Sequence, residues 1–154
     1  MTEKEVVDVQ ESGLEFSLRV LLKHPRMSLE AITAATGVAP QLTSVLGEPR
    51  LAPNGVPLAG THPLHVWSYW KTYRNQREFQ PALVELLDLL EPAKPVLSSL
   101  YAGLPEEGAY AAVILELQGQ QNIGDDITPA VLARLCALGL SLGIEVFPDA
   151  NAAS

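Results

Sequence analysis

The sequence is poor in cysteine and in basic residues, and it has no long apolar run. Its single cysteine, Cys136, excludes an intramolecular disulfide and fits a reducing compartment. No apolar run reaches the roughly 18 residues that a membrane-spanning helix requires. Lysine and arginine number 10 against 18 aspartate and glutamate, a formal net charge of −8. We therefore expect a cytoplasmic protein without membrane attachment, and the acidity disfavours nucleic acid, whose phosphates need basic residues.

The motifs of common catalytic and cofactor sites are also missing. There is no CxxC, no HExxH and no glycine-rich phosphate loop. His62 and His65 are three residues apart, but a zinc site needs more protein ligands than this pair supplies. Cys136 falls in an apolar helical pattern, and we expect it to be a core residue. The sequence therefore predicts no catalytic residue, no metal ligand and no cofactor.

The 154 residues, 47% of them hydrophobic, are enough for one folded domain with its own core. Residues 1–13 are acidic and polar, and we expect a flexible arm there. Residues 149–154 are small and polar, and we expect a flexible tail. The domain organisation predicted from the sequence is therefore a single α+β domain over residues 14–148.

Hydrophobic periodicity gives the order of the elements. Alternating or aromatic-rich segments predict strands at Phe16–Lys23, Leu42–Leu46, His65–Tyr73, Tyr110–Gln118 and Ser141–Phe147. Helical spacing and capping residues predict helices after Ser28, over Leu83–Leu90, over Val96–Leu100 and from Pro129. The order β-α-β-β-α-β-α-β begins with the split β-α-β pattern. We predict a ferredoxin-like antiparallel sheet with helices on one face, plus one extra helix and strand.

Residues 47–64 are the least regular stretch of the chain. They hold four prolines and the turn signal Asn54-Gly55. Loops of this length are uncommon in compact domains and are often functional or mobile. We therefore count this segment among the candidate binding elements.

The strand at residues 65–73 carries large aromatic side chains on both faces. Trp67, Tyr69 and Tyr73 share one face, and Trp70 lies on the other. A two-layer fold covers only one face with helices, so one of the two sets lies on the side away from them. Exposed aromatic residues there mark a ligand or partner surface. The alternative, that the long loop or the last strand covers them, stays open.

Charged residues also fall on predicted strands. Arg19 occupies a polar position of the first strand, and Glu116 and Glu145 lie on later strands. We predict cross-strand ion pairs on an open sheet face rather than an acid/base pair, because the sequence offers no pocket. Asp125 and Asp126 precede a helix, and we expect them to stabilise its positive end.

A further set of motifs occurs in a characteristic order. The opening strand is followed by Ile32-Thr33 with Gly37-Val38 and Pro40, and then by Gly47-Glu48. After these come the strand around Trp67, the leucine-rich helix with Pro92, and Leu132–Leu138 before a closing strand. In this order the chain from Phe16 to Phe147 resembles the bacterial domain-of-unknown-function family DUF4279. The resemblance implies a compact bacterial α+β domain; it implies no reaction and supplies no functional residues.

Three hypotheses for function follow. The first is a non-catalytic protein-interaction module, immunity-type or self-associating, which uses the aromatic sheet face and residues 47–64; its acidity favours a basic partner. The second is a small-molecule or metal-binding protein, or an enzyme, with a pocket under residues 47–64 formed by Arg50, His62, His65 and Tyr69. The third, nucleic-acid binding, is disfavoured because basic residues are sparse. We rank the hypotheses in this order.

Overall fold

The computed structural model describes residues 13–103, 105–119 and 121–148. Apart from Gly13, the predicted arm over 1–13 and the predicted tail over 149–154 lie outside these residues. The strands are β1 (Glu15–His24), β2 (Leu42–Ser44), β3 (Pro49–Leu51), β4 (Pro57–Thr61), β5 (His65–Arg74), β6 (Tyr110–Gln118) and β7 (Ser141–Phe147). The helices are α1 (Leu29–Thr36), α2 (Gln80–Leu90), α3 (Lys94–Tyr101) and α4 (Pro129–Ala137), and a 3₁₀ turn over Glu91–Ala93 joins α2 to α3. None of the helices in these ranges has the length and apolar character required to cross a lipid bilayer.

Strand β1 lies at the centre of a five-stranded sheet with the order β2-β5-β1-β6-β7. It pairs antiparallel with β5 on one side and with β6 on the other, and β5 pairs antiparallel with β2. β7 pairs parallel with β6, because the chain crosses over through α4 between these two strands. The α+β class is therefore confirmed, but the sheet is mixed, and the prediction of a wholly antiparallel sheet is wrong at β7.

One face of the sheet carries the core. Along β1 the residues at even positions, from Phe16 to His24, are all buried, whereas those at odd positions are partly exposed. Helices α1 to α4 all contribute side chains to the cluster that covers this face. The helical members are Ile32, Ala82, Leu83, Leu86, Leu87, Leu90, Leu97, Val131 and Leu135. Burial of this apolar face is the main source of the domain's stability.

Capping residues set the ends of α1. The Ser28 hydroxyl accepts a hydrogen bond from the Ala31 N–H at 3.2 Å, which pairs one of the free donors at the helix start. Gly37 follows the helix at φ +72°, a conformation that favours glycine, and its N–H donates to the Thr33 carbonyl. Pro92 lies in the 3₁₀ turn that ends α2. These positions confirm the sequence predictions for both helices.

Residues 47–64 form an ordered hairpin instead of an irregular loop. β3 and β4 pair antiparallel as a separate two-stranded sheet. At its tip Gly55 has a φ of +84°, and the Asn54 side chain accepts a hydrogen bond from the Val56 N–H. At its base the Gly47 N–H donates to the His62 carbonyl at 2.9 Å. Pro49 and Pro57, which indicated irregularity in the sequence, are the first residues of β3 and β4. Proline is tolerated at the first position of a strand.

The core assignment makes a first prediction. Leu87 is fully buried in α2, whereas Leu132 on α4 is 45% exposed. Replacement Leu87→Ala should lower the free energy of unfolding by about 2–5 kcal/mol, since it removes buried methyl groups and leaves a cavity. Leu132→Ala is the matched control and should change it by about 0.5 kcal/mol or less. Urea unfolding followed by circular dichroism measures both, and equal losses would contradict this packing.

Candidate interaction surface

The sheet has one face that the helices do not cover. We call it the open face; it is formed by the odd-numbered residues of β1 and β7 and the even-numbered residues of β2, β5 and β6. Trp70 lies on this open face, opposite Arg19 of β1. Trp67, Tyr69 and Tyr73 lie on the helix-covered face. The register thus decides which aromatic set faces away from the helices, a question that the sequence left open.

Arg19 lies between an aromatic ring and a carboxylate on the open face. Its guanidinium carbon is 5.0 Å from the centroid of the Trp70 ring, within range of a cation–π interaction. Its Nε atom is 2.7 Å from Glu116 Oε1 on β6. Nε is buried and lacks an aligned hydrogen bond, so charge attraction holds this ion pair. The predicted cross-strand ion pair is therefore confirmed for Arg19 and Glu116.

Polar side chains hold β5 near Trp70, both on the side of β2 and on the side of β1. Gln41 lies next to β2, and its amide group donates to the Trp70 carbonyl at 2.7 Å and accepts from the Trp70 N–H at 3.1 Å. Ser68, fully buried although it lies on the open face, donates to the Val20 carbonyl at 2.9 Å. Trp70 therefore lies on a strand whose backbone is held in place by these hydrogen bonds.

The other predicted aromatic residues belong mainly to the core. Trp67 is fully buried, and its indole N–H donates to the Thr33 hydroxyl at 3.1 Å. Tyr73 stacks on Phe16 with ring centroids 5.3 Å apart. Tyr69 is partly buried beside Trp67. Of these four aromatic residues, Trp70 is the one that the structure presents on the open face.

The hairpin is the second surface with interaction character. Every residue of β3 and β4 is exposed, Arg50 among them. Three large apolar side chains stand out: Leu51 is 58% exposed, Val56 53% and Leu58 47%. A soluble domain seldom exposes apolar side chains so close together without a binding role. Residues 47–64 therefore stay a candidate binding element.

The two histidines of the 62–65 pair have structural partners. His62 forms backbone hydrogen bonds at the base of the hairpin. His65 Nδ1 accepts a hydrogen bond from the Leu46 N–H at 3.2 Å. Within residues 13–103, 105–119 and 121–148, no three or more histidine, cysteine or acidic side chains converge as metal ligands would.

Neither of two surface cavities in the described part of the chain is lined by residues of the hairpin. One, of about 540 Å³, is lined by Asn75, Gln76, Arg77, Glu78, Pro81 and Gly124. The other, of about 470 Å³, is lined by Leu29, Glu30, Thr33, Ala34, Thr43 and Val45. The pocket residues expected from the sequence, namely Arg50, His62, His65 and Tyr69, line neither cavity. The hypothesis of a small-molecule or metal site under residues 47–64 stays a prediction.

His24 is a fully buried polar residue at the end of β1. Its Nδ1 accepts from the Arg26 N–H at 3.0 Å, so the proton lies on Nε2, which donates to the Leu100 carbonyl at 3.1 Å. Tyr101 packs edge-on against the imidazole, and its hydroxyl donates to the Lys23 carbonyl at 3.0 Å. Because both ring nitrogens are engaged, His24 connects β1 to α3. No signal in the sequence marks this non-local contact.

Two expectations for α4 and the loop before it are corrected, namely those for Cys136 and for Asp125. Cys136 is exposed, and so is Leu132, since the buried side of α4 is formed by Val131 and Leu135. Asp125 accepts a hydrogen bond from the Gln80 N–H at 2.8 Å. It therefore stabilises the N-terminus of α2, not that of α4, which follows it in the chain.

With the fold and these surfaces defined, the chain can be compared with known proteins. A family model described as a domain of unknown function, DUF4279, matches residues 14–147. The chain belongs to this family. The resemblance predicted from the sequence is thus confirmed, and the match runs from the residue before β1 to the last residue of β7. No curated protein and no solved structure matches the chain. The function of this DUF4279 domain therefore has to be argued from its own surfaces.

The buried tyrosines make a prediction about alkaline stability. Burial raises the pKa of Tyr73 and of Tyr101 above the ordinary value of 10. Both stay neutral in the folded state at a pH where they ionise in the unfolded chain. The contribution of the two neutral tyrosines to the free energy of unfolding is complete below pH 10 and is lost as the pH rises further. The free energy of unfolding should fall by up to about 1.4 kcal/mol per pH unit for each tyrosine.

Urea unfolding at several pH values between neutral and strongly alkaline measures this slope. Tyr101→Phe and Tyr73→Phe should each flatten the slope above pH 10, and the double variant should flatten it further. Each variant serves as the control for the other, because the two hydroxyls lie in different parts of the core. Slopes identical to that of the unmodified protein in both variants would show that these hydroxyls do not govern alkaline stability.

Proposed function

We propose that this DUF4279 domain is a non-catalytic protein-interaction module that binds a protein partner through the β3–β4 hairpin and the open face around Trp70. The observation that carries the proposal is the hairpin. It is ordered, it projects its apolar side chains into solvent, and it forms a sheet separate from the main one.

The hairpin favours a partner for an energetic reason. An isolated two-stranded hairpin is marginally stable in water, because it has no hydrophobic face buried against a third element. Leu51, Val56 and Leu58 keep about half of their surface in contact with water in the free domain, at 58%, 53% and 47% exposure. A partner that covers them adds the apolar burial that the hairpin lacks. Its strands also offer backbone groups for strand addition by a partner.

The open face supplies residue types that dominate binding energy. Tryptophan and arginine are enriched among the residues whose removal weakens protein complexes most. Here Arg19 is already held against Trp70 and Glu116, so the pair is preorganised for contact. A partner that displaces water from this cluster strengthens the ion pair, because its surroundings become less polar.

The chemistry of the partner follows from charge. The formal net charge is −8, and half of the excess negative charge lies in residues 1–12 and 149–154. A net-negative chain accelerates association with a positively charged protein, an effect that salt weakens. A basic protein is therefore the proposed partner, and an immunity-type role is one form of this proposal. A cytoplasmic location stays a prediction based on the single cysteine.

The proposed fold assignment is a ferredoxin-like domain with an added α4–β7 unit. It is supported by the strand order, in which β5 lies between β1 and β2 and β1 lies between β5 and β6. This is the arrangement that two interleaved split β-α-β units produce. The assignment explains why one sheet face stays open, since both crossover connections pack on the other.

Affinity capture tests the proposed function. The full chain is immobilised, exposed to a lysate of its source cells, and the bound proteins are quantified by mass spectrometry. The double variant Leu51→Ser with Leu58→Ser should retain at least about tenfold less of a specific basic partner, because it removes the apolar contact surface. Trp70→Ala tests the open face separately, and high salt should lower capture by the unmodified chain.

Leu132→Ser is the matched control, because Leu132 is exposed to a similar degree but lies on α4. It should capture the partner as well as the unmodified chain does. The same purified partner must then bind with a defined stoichiometry in calorimetry. Equal binding by all of the variants, with the fold intact by circular dichroism, would rule out both surfaces.

A further inference from the structure

Strand β7 is an edge strand without the usual protection. In the described residues it pairs with β6 alone, and its seven residues contrast with the three of β2 at the other edge. Edge strands are commonly protected by shortness, by lysine, by proline or by a bulge, because an open edge pairs readily with another strand. Within β7 the one charged residue is Glu145, and there is no lysine or proline.

The side chains of β7 are also left uncovered. Ile144 and Val146 share a face with the core residues of β6, yet each is 62% exposed. Phe147, on the open face, is 42% exposed. Leu142, at the start of the strand, packs partly against the core. The outer half of the strand thus has core-type side chains, and none of the residues that the structure describes buries them.

The backbone of β7 presents a regular set of donors and acceptors at this edge. The Phe147 carbonyl accepts a hydrogen bond from the Gly119 N–H at 2.7 Å, so the backbone groups of Phe147 point toward β6. Successive residues in a strand point these groups to opposite sides. The N–H and C=O groups of Leu142, Ile144 and Val146 therefore point outward, away from β6.

We propose that β7 pairs antiparallel with β7 of a second copy of this chain, with Ile144 opposite Ile144 of that copy. The two sheets then form one continuous sheet around a two-fold axis normal to it, the commonest symmetry of homodimers. Leu142 lies opposite Val146 of the other copy. Every outward backbone group of Leu142, Ile144 and Val146 is paired, and their apolar side chains contact one another across the junction.

Charge and burial favour this pairing register over the registers that are shifted by one or two residues. With Ile144 on the axis, Glu145 lies opposite Gly143 of the other copy, where no charge meets it. A shift that centres the pair on Glu145 sets two carboxylates directly opposite each other, which is destabilising. A shift that centres it on Gly143 sets Val146 opposite Leu140, which is buried and lies outside the strand. A shift that turns one β7 strand over would place its polar positions on the same face as the apolar positions of the other copy.

This inference is independent of the proposed function, because it uses a different surface and has the opposite salt dependence. Two chains with a net charge of −8 repel each other, and salt screens that repulsion. Self-association should therefore strengthen as salt rises, whereas binding of a basic partner should weaken.

Sedimentation of the full chain over a concentration series tests the dimer. We expect a monomer–dimer equilibrium that shifts toward dimer in high salt. Ile144→Lys should raise the dissociation constant at least about tenfold, because it brings two lysines together on the axis. Leu42→Lys is the matched control: Leu42 is 47% exposed on the opposite edge strand, and the variant should dimerise as the unmodified chain does.

A sedimentation profile that stays monomeric at every concentration and salt would overturn the proposal. So would a dimer that Leu42→Lys disrupts and Ile144→Lys does not. Both variants change exposed side chains, so circular dichroism should show an intact fold in each.

Cysteine crosslinking tests the register. In a Cys136→Ser background, Ile144→Cys places two sulfurs across the axis, where Cα atoms about 5.5 Å apart permit a disulfide. Leu142→Cys and Val146→Cys place like residues roughly 14 Å apart along the strands, beyond reach. Oxidation should link the Ile144→Cys chains at least about tenfold faster than either control. Faster linkage at position 142 or 146 would overturn the register.

Discussion

Strand β1 pairs with β5 on one side and with β6 on the other, and this double pairing is the constraint on which the remaining structure depends. The two-residue alternation of β1 assigns Phe16 and its even-numbered neighbours to the helix face and Arg19 to the other. Through the register, β1 also fixes the faces of β5 and β6. A slip of one residue in the pairing would turn Trp67 to the open face and Trp70 to the helix-covered face, and so would expose the core. The position of Trp70 therefore follows from the packing of β1.

The same constraint explains how an uncovered sheet face is tolerated. Opposite Arg19 lie Trp70 on one neighbour and Ile114 on the other, and Glu116 supplies the counter-charge. Ser68 stays buried because its hydroxyl reaches the Val20 carbonyl. The Arg19–Glu116 ion pair and the Ser68 hydrogen bond thus satisfy polar groups on a face that the helices leave uncovered.

The sequence predicted the strands and helices well where periodicity was strong, as in β1, β6 and β7, and where capping residues such as Ser28 set an end. It failed where the outcome depended on contacts between distant segments. Cys136 and Leu132 fit an apolar helical pattern, but the orientation of α4 leaves them outside the core. The parallel pairing of β7 and the contact of Asp125 with α2 are likewise non-local. For the candidate site, Trp70 was among the predicted residues, but its face could not be chosen, since both faces of β5 carry aromatics.

The two edges of the sheet differ in a way that connects fold and function. At the β2 edge the strand is short, and the Gln41 side chain continues the hydrogen bonding to Trp70 beyond it. At the β7 edge the strand is long and apolar, and its outward backbone groups have no partner among the described residues. The hairpin adds a second apolar element outside the core. Exposed apolar residues grouped in this way are typical of surfaces that contact other chains. The surfaces that packing leaves unexplained are therefore where the function of the domain is to be sought.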